Sequence, residues 1–399
     1  MNMRNGNFSK RISEKSSDAM SKFVLAQDPE SISFAGGLPD NDLFPVNELT
    51  YAYEEVLRTE KNVAFQYSSS RGDTKLCQLI GESFFSKWGK TIPVEKIILT
   101  EGSQQALDLL GKLFLDEDDI ALIEEPGYLG TIQAWSMFTK NLVGIPQDEN
   151  GINIEYLEEK LLSLEKPAKV LYIVPDYSNP AGTCLPIQRR EKLIELAEKY
   201  HFYIVEDLAY SLLSYDNETL PPLFTFSESS NIITIGSFSK ILSPGLRTGF
   251  VVAEKDIIES LTRLKEASDL CSGTLNQKLV YQFYRLGFLE KHIEKLRKAY
   301  KEKRDALKKE LEESFTDIAQ WNNPHGGFFF FLVFPEWVDT YELAESALRN
   351  KTSFVPGKEF FVSQNGKNTA RVSFSQIPPE KMKDGVRRFL KAWEEYKEE

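Results

Sequence analysis

The 399-residue sequence predicts an α/β fold built on a mostly parallel sheet, and three observations carry that prediction. Between residues 96 and 235, short apolar runs alternate with amphipathic stretches of helical length. Turn-forming residues follow the apolar runs at their carboxyl ends, as in Pro126-Gly127 and Asn179-Pro180. After about residue 275 the texture changes to a long charged helical stretch followed by short strands. That change predicts a second, smaller α+β domain.

Residues 9–28 have the spacing of a short amphipathic helix, and they lead through Ser31-Ile32-Ser33-Phe34 into the breaker-rich loop Ala35-Gly36-Gly37-Leu38-Pro39. Asp73 is placed to cap a helix over 74–88, with Gly89 just beyond its end. Residues 96–100 form a β-branched strand, and 103–115 repeat apolar positions at helical spacing. A strand at 120–124 ends at Pro126-Gly127. Further strands are expected at 170–174, 202–205 and 232–235, with a polar-faced helix over 188–200. One long helix is expected over 275–313, then strands at 327–334, 352–355 and 371–374, and a closing helix over 379–397. The chain divides on this reading into an N-terminal segment (1–49) packing with the small domain, a large domain (50–285) and a small C-terminal domain (286–399). A prior of about 150 residues per domain allows this division.

Composition narrows the functions. The balance of 48 Lys+Arg against 60 Asp+Glu gives a net charge of −12, which argues against a general nucleic-acid binder. Three cysteines and three histidines lie scattered without ligand spacing, so neither a metal site nor a disulfide framework is expected. The opening MNMRNGNFSKRISEKSS lacks an apolar leader, and no run approaches about 18 apolar residues. A cytoplasmic location without membrane contact is the expectation. No G-x-G-x-x-G follows a strand, which disfavours a nicotinamide oxidoreductase.

Ligands of open parallel sheets bind beyond the carboxyl ends of the strands, so the residues there belong together. After Thr100 come Glu101-Gly102-Ser103-Gln104, opening a helix, and after Glu125 come Pro126-Gly127-Tyr128. Asn179 follows the strand ending at Val174, Asp207 and Tyr210 follow Val205, and Ser237-Phe238-Ser239-Lys240 follow Ile235, with Arg247 in the next turn. A helix start, hydroxyls and an arginine suit a phosphate. An aromatic plate, a carboxylate, an amide, a phenol and a lysine complete what pyridoxal 5′-phosphate requires: an amine for its aldehyde and an acid for its ring nitrogen.

In this order and spacing the motifs resemble those of the class I/II aminotransferases of the fold-type I pyridoxal phosphate superfamily. The resemblance is to the branch of 2-aminoadipate, kynurenine and aromatic aminotransferases, and it runs from Ile32-Ser33-Phe34-Ala35-Gly36-Gly37-Leu38-Pro39 to Arg371-Val372-Ser373-Phe374-Ser375. It implies a large domain on a mostly parallel seven-stranded sheet. It implies that Lys240 bonds the cofactor aldehyde, with Ser103, Gln104, Ser237, Ser239 and Arg247 around the phosphate. Tyr128 stacks on the ring, Asp207 pairs with its nitrogen, and Asn179 and Tyr210 contact its ring oxygen. Arg371 grips the substrate α-carboxylate, helped by Asn179 and Gly37, and Tyr67 reaches the phosphate of a neighbouring subunit in a homodimer. Lys240, Asp207 and Tyr128 are the implied catalytic residues.

The implied reaction moves an amino group from an L-amino acid to a 2-oxo acid such as 2-oxoglutarate, with ping-pong kinetics. Some relatives that take long dicarboxylic substrates carry an arginine in the N-terminal helix. The nearest position here is Met20, with Arg11 or Lys22 as substitutes, which favours a neutral or aromatic donor. The aromatic run 328–331 reads as core, with one ring able to line the substrate pocket. Two alternatives share the cofactor residues: a β-lyase, decarboxylase or synthase of the same fold, and a non-catalytic effector domain.

Overall fold

The computed structural model describes residues 9, 11, 30–215, 219–226 and 230–398. Most of the expected N-terminal helix over 9–28, with Met20 and Lys22, lies outside the described residues. The first strand, Ile32–Ser33 (β1), opens the fold. Ile97–Thr100 (β2), Ile120–Glu125 (β3), Asn141–Asp148 (β4), Gly151–Ile152 (β5), Ala168–Ile173 (β6), Tyr203–Asp207 (β7), Ile232–Ser237 (β8) and Gly249–Val252 (β9) follow. These eight strands form one sheet in the order β2-β9-β8-β7-β6-β3-β4-β5. The contiguous strands β8, β7, β6, β3 and β4 run parallel, while β9 runs against both of its neighbours.

The sheet has one strand more than the seven expected, because the two-residue β5 folds back on β4 as a hairpin. Two other members are absent from the sequence expectation. β4 carries Gly144 and Pro146 and is mostly half-exposed, so it shows no apolar run. β9 is only four residues long and follows directly on the Pro-Gly turn. The central strands are apolar because helices cover both faces. One face packs Val170, Tyr172, Val205, Ile233 and Ile235 into the larger core. The other packs Leu122, Leu171, Ile173, Ile204 and Ile232 against helix Ile187–Tyr200.

A second, antiparallel sheet has the order β10-β11-β14-β13, from Gln320–Trp321 (β10), Phe329–Val333 (β11), Val355–Pro356 (β13) and Thr369–Ser373 (β14). Thr352–Ser353 (β12) pairs instead with β1 in parallel. The strand expected over 352–355 is therefore split, and buried Phe354 marks the point where the chain changes sheets. The N-terminal segment continues along this region, since Phe34 N–H bonds Ser353 O and Phe34 O accepts from Ser373 N–H.

Two expected helices are interrupted. Asp73 does cap the helix Thr74–Leu79 by accepting from Leu76 N–H, but the chain then widens into a π turn over Ile80–Phe84. Gly81 O there accepts from Ile92 N–H, and a Cβ on Gly81 would lie 2.1 Å from Ile92 O. Close backbone approach draws this carbonyl out of the helical ladder. The stretch over 275–313 is two helices, Thr274–Arg285 and Phe288–Ser314, separated by Gly287 at φ 72°. Among the described residues no helix is long and apolar enough to cross a membrane.

Candidate active site

The parallel strands and β2 all deliver their carboxyl ends to one rim, and a cavity of about 310 Å3 opens there. Of the residues singled out in the sequence, Gly37, Ser103, Gln104, Tyr128, Asn179, Asp207, Tyr210, Ser237, Ser239, Lys240, Arg247 and Arg371 line it. Tyr67 does not. It is 77% exposed, away from the cavity of its own chain. Arg11, the described one of the two substitutes for an N-terminal arginine, lies against the Phe138 ring instead.

One end of the cavity is built for an anion. Helix Gly102–Phe114 starts at Gly102 with φ 74°, and a Cβ there would lie 3.0 Å from the Arg247 guanidinium. Glycine thus admits Arg247 over the helix start, where Arg247 Nη2 donates to Glu101 O at 2.9 Å. Glu101 N–H turns the other way, to Gln105 Oε1 at 2.9 Å. The Ser103 hydroxyl is buried at the same helix start, on the side of the Asp207 carboxylate that it helps to keep ionised. Ser237 and Ser239 join hydroxyls at 3.0 Å, and Gln104 Nε2 donates to Gly130 O at 3.0 Å. A helix N-terminus, an arginine and clustered hydroxyls make a site for a dianionic group.

The middle of the cavity holds an acid and an amine whose ionisation is pulled in opposite directions by the same desolvation. Asp207 ends β7 and is buried, which pushes its carboxyl up to about 6 despite hydrogen bonds from Tyr172 Oη and Ala209 N–H. Lys240 is brought down to about 8 by desolvation, with the positive charges of Arg371 and Arg247 adding to the effect and Asp207 opposing it. Its Nζ donates to Gly37 O at 2.8 Å. Tyr128, whose phenol is raised by burial and by Asp207, borders the cavity beside Tyr172 with ring centroids 6.5 Å apart. Tyr210 is buried edge-on to Phe328 and Phe329, and its phenol too is pushed up by burial.

The far end is formed by Arg371 in the middle of β14. Its Nη1 donates to Asn179 Oδ1 at 2.9 Å and its Nη2 to Ala35 O at 2.8 Å. Desolvation pulls this guanidinium down to about 10, still charged at neutral pH. The Phe329 ring lies 4.5 Å from it and the Phe360 ring 5.1 Å, both within cation–π range. Nε remains buried without a partner. A Cβ at Gly37 would lie 3.0 Å from Phe329 Cζ, so glycine lets this backbone approach the arginine.

Sequence reading missed two contributors, Tyr172 and Phe360, and left a third, Phe329, as one unspecified ring of the run 328–331. Tyr172 fixes Asp207 at 3.1 Å; it is the one polar-tipped residue in the otherwise aliphatic run 170–174, and β6–β7 register sets it across from Val205, two residues before Asp207. Phe329 belongs to the run read mainly as core. Phe360 is brought in by contacts remote in sequence, since Gly127 N–H bonds Phe360 O and Glu125 accepts from both Ser363 N–H and Ser363 Oγ.

Comparison with known proteins is consistent with this geometry. Residues 32–389 match the family model described as aminotransferase class I and II. The chain is 38% identical over 389 residues to aromatic-amino-acid aminotransferase 1 of Thermococcus litoralis, covering 97% of this chain and 93% of that one. The crystal structure of Pyrococcus horikoshii kynurenine aminotransferase, solved with PMP, kynurenine and its product, superposes with a TM-score of 0.94 at 34% identity, over 98% and 97% of the two chains. The α-aminoadipate aminotransferase of Thermus thermophilus, solved with a phosphopyridoxyl-leucine, gives a TM-score of 0.90 at 34% identity and covers 98% of each chain. On the matched family model and these relatives together, the chain belongs to the class I and II aminotransferases.

Proposed function

We propose that this protein is a pyridoxal 5′-phosphate-dependent aminotransferase acting on an L-amino acid with an aromatic, neutral or 2-aminoadipate-like side chain, with a 2-oxo acid such as 2-oxoglutarate as acceptor, in a ping-pong cycle. The observation that carries the reading is one cavity holding Lys240, Asp207 and Arg371 beyond the strand ends. The residues present fit the cofactor. The helix start at Gly102 with the Arg247 guanidinium packed over it suits its phosphate, Asp207 would face its ring nitrogen, and Tyr128 would flank its ring. When bound, pyridoxal phosphate supplies an aldehyde that captures amines and a pyridine ring that accepts electrons from the Cα–H bond.

The chain's own groups supply the rest. Lys240 Nζ, with an affinity for protons tuned near 8, takes the proton from the substrate Cα and delivers it again, which suits a general base at neutral pH. Asp207 keeps a negative charge above about pH 6, as a partner for a protonated ring nitrogen would require, and Tyr172 and Ala209 N–H hold its carboxylate in place. Arg371 is oriented for an α-carboxylate by Asn179 and Ala35, and a carboxylate would share its buried guanidinium with those two oxygens. Gly37 O gives the free lysine amine a place to donate when it carries no cofactor.

We further propose a homodimer in the cytoplasm, with Tyr67 reaching the partner's site. The support is a run of exposed apolar side chains in the segment that leads to it: Val63 at 61%, Phe65 at 67% and Tyr67 itself at 77% exposure. Exposure of that many large apolar groups in one region is uncommon on a monomer.

Mixing the holoenzyme with a panel of amino acids, without acceptor, releases one equivalent of 2-oxo acid per site from good donors and leaves an aminated cofactor. Pyruvate with ammonia from a β-substituted donor would speak for elimination instead. In the same assay Arg371→Lys raises the half-saturating donor concentration by about tenfold or more, because lysine cannot reproduce the two-pronged contact. In cofactor-stripped protein, acylation of Lys240 followed by mass mapping has a midpoint near pH 8, and Arg371→Leu raises it by removing a nearby positive charge; a wild-type midpoint at the ordinary lysine value of 10.5 would refute the assignment. Sedimentation equilibrium returns twice the 45.6 kDa chain mass, and Phe65→Asp returns the single chain.

A further inference from the structure

We propose that Asp176 is a positioning residue: its one buried carboxylate locks together the two loops that deliver Asn179 and Tyr210 to the cavity. This inference rests on the proposed pyridoxal phosphate function, and it concerns a residue outside the cavity wall. Asp176 stands just beyond β6, is 2% exposed, and does not line the cavity.

The carboxylate serves two loops with two oxygens. Oδ1 takes the Arg190 guanidinium, and the Cys184 thiol approaches the same oxygen at 3.5 Å. Oδ2 accepts from Ser211 Oγ at 2.6 Å. Ser211 directly follows Tyr210, and Asp176 lies three residues before Asn179. Any shift of one loop against the other therefore has to stretch a bond to this carboxylate.

Arg190 closes the first loop at its base. Completely buried on helix Ile187–Tyr200, it donates from Nε to Leu185 O at 2.8 Å, from Nη1 to Pro221 O at 2.9 Å and from Nη2 to Pro175 O at 3.3 Å. Residues 175 and 185 are the two ends of the loop, and Leu185 N–H bonds Pro175 O directly. Within the loop, Asp176 and Cys184 form an antiparallel bridge, and Ser178 pairs with Thr183 by both backbone and hydroxyl. Asn179 projects from the tip and accepts from Arg371 through Oδ1. Its amide also hydrogen-bonds Tyr210, so the two residues are tied to each other at the cavity.

Taking a carboxylate and a guanidinium entirely out of water is costly, and an apolar pair of similar shape is often as stable. What such a pair would lack is the second carboxylate oxygen that reaches Ser211. The gain is in geometry: Asn179 and Tyr210, which the family resemblance sets against the same ring oxygen of the cofactor, are held at a set spacing. Hydrogen-bond donation to that oxygen favours the proton-poor form of the lysine-bound chromophore, so a loosened pair raises the pH midpoint of its absorption.

The test uses the holoenzyme, Ser211→Ala, Asp176→Asn and the double variant. Absorbance of the bound cofactor is titrated with pH, and cofactor affinity is measured by dilution. The charged and titratable groups facing the chromophore, Asp207, Lys240, Arg371, Arg247, Tyr128 and Tyr210, are the same in every variant. Ser211→Ala is expected to raise the midpoint by about 0.5 pH unit or more and to weaken cofactor binding about fivefold. The double variant is expected to move the midpoint no further than Asp176→Asn does, because the Ser211 hydroxyl acts on the first loop through the Asp176 side chain. If Asp176→Asn fails to fold, the Ser211→Ala midpoint decides alone. A role confined to stability would lower the unfolding temperature and leave the midpoint unmoved, and that result overturns the proposal. A wild-type protein without any chromophore would instead overturn the proposed function, and this inference with it.

Discussion

Arg371 is where three remote parts of the chain meet, and the cavity depends on that junction. It stands in the middle of a four-stranded sheet, yet its guanidinium bonds Asn179 from the loop after β6 and Ala35 from the N-terminal segment. A buried guanidinium carries a heavy desolvation cost, visible in the drop of its proton affinity to about 10, yet it keeps its charge at neutral pH. Two acceptors and two aromatic faces offset part of that cost. Nε stays without a partner, so the solvation of this charge is incomplete in the chain alone. An anionic substrate group would complete it, which ties the assembly of the fold to recognition of the substrate.

The second consequence of low polarity in the cavity is the division of labour between Asp207 and Lys240. Desolvation raises the acid toward 6 and lowers the amine toward 8, so their titrations approach one another without crossing. At neutral pH the acid is mostly charged, and a minor share of the amine, far larger than for an ordinary lysine, is free of its proton. One environment thus prepares both groups, and Arg371 and Arg247 add to the effect on the lysine because their charges face the same space. The positive groups at both ends of the cavity accordingly do two things: they offer sites for anions, and they make the amine between them easier to deprotonate.

Much of this site is legible in the sequence for a simple geometric reason. A parallel sheet sends its strand ends to one rim, so residues just after each apolar run converge whatever their separation in sequence. Ser103, Tyr128, Asn179, Asp207 and Lys240 stand out that way, and each strand carrying them is buried and apolar. The less legible parts obey other rules. β4 lies toward one side of the sheet with Gly144 and Pro146, and β9 is four residues long, so neither shows a clear hydrophobic period. The breaks at Gly81 and Gly287 follow from a tertiary backbone contact and a left-handed turn inside otherwise helical patterns. Tyr172, Phe360 and the Asp176–Arg190 pair act across the fold, and a local pattern carries no record of their partners.

The central claim is that one amine, at Lys240, holds the cofactor between a phosphate cradle and a carboxylate-binding arginine. Borohydride reduction of the purified holoenzyme, followed by peptide mass mapping, tests it most directly. The account predicts a phosphopyridoxyl group on Lys240 and on no other lysine. An unmodified Lys240, or the group found on a different lysine, would contradict it.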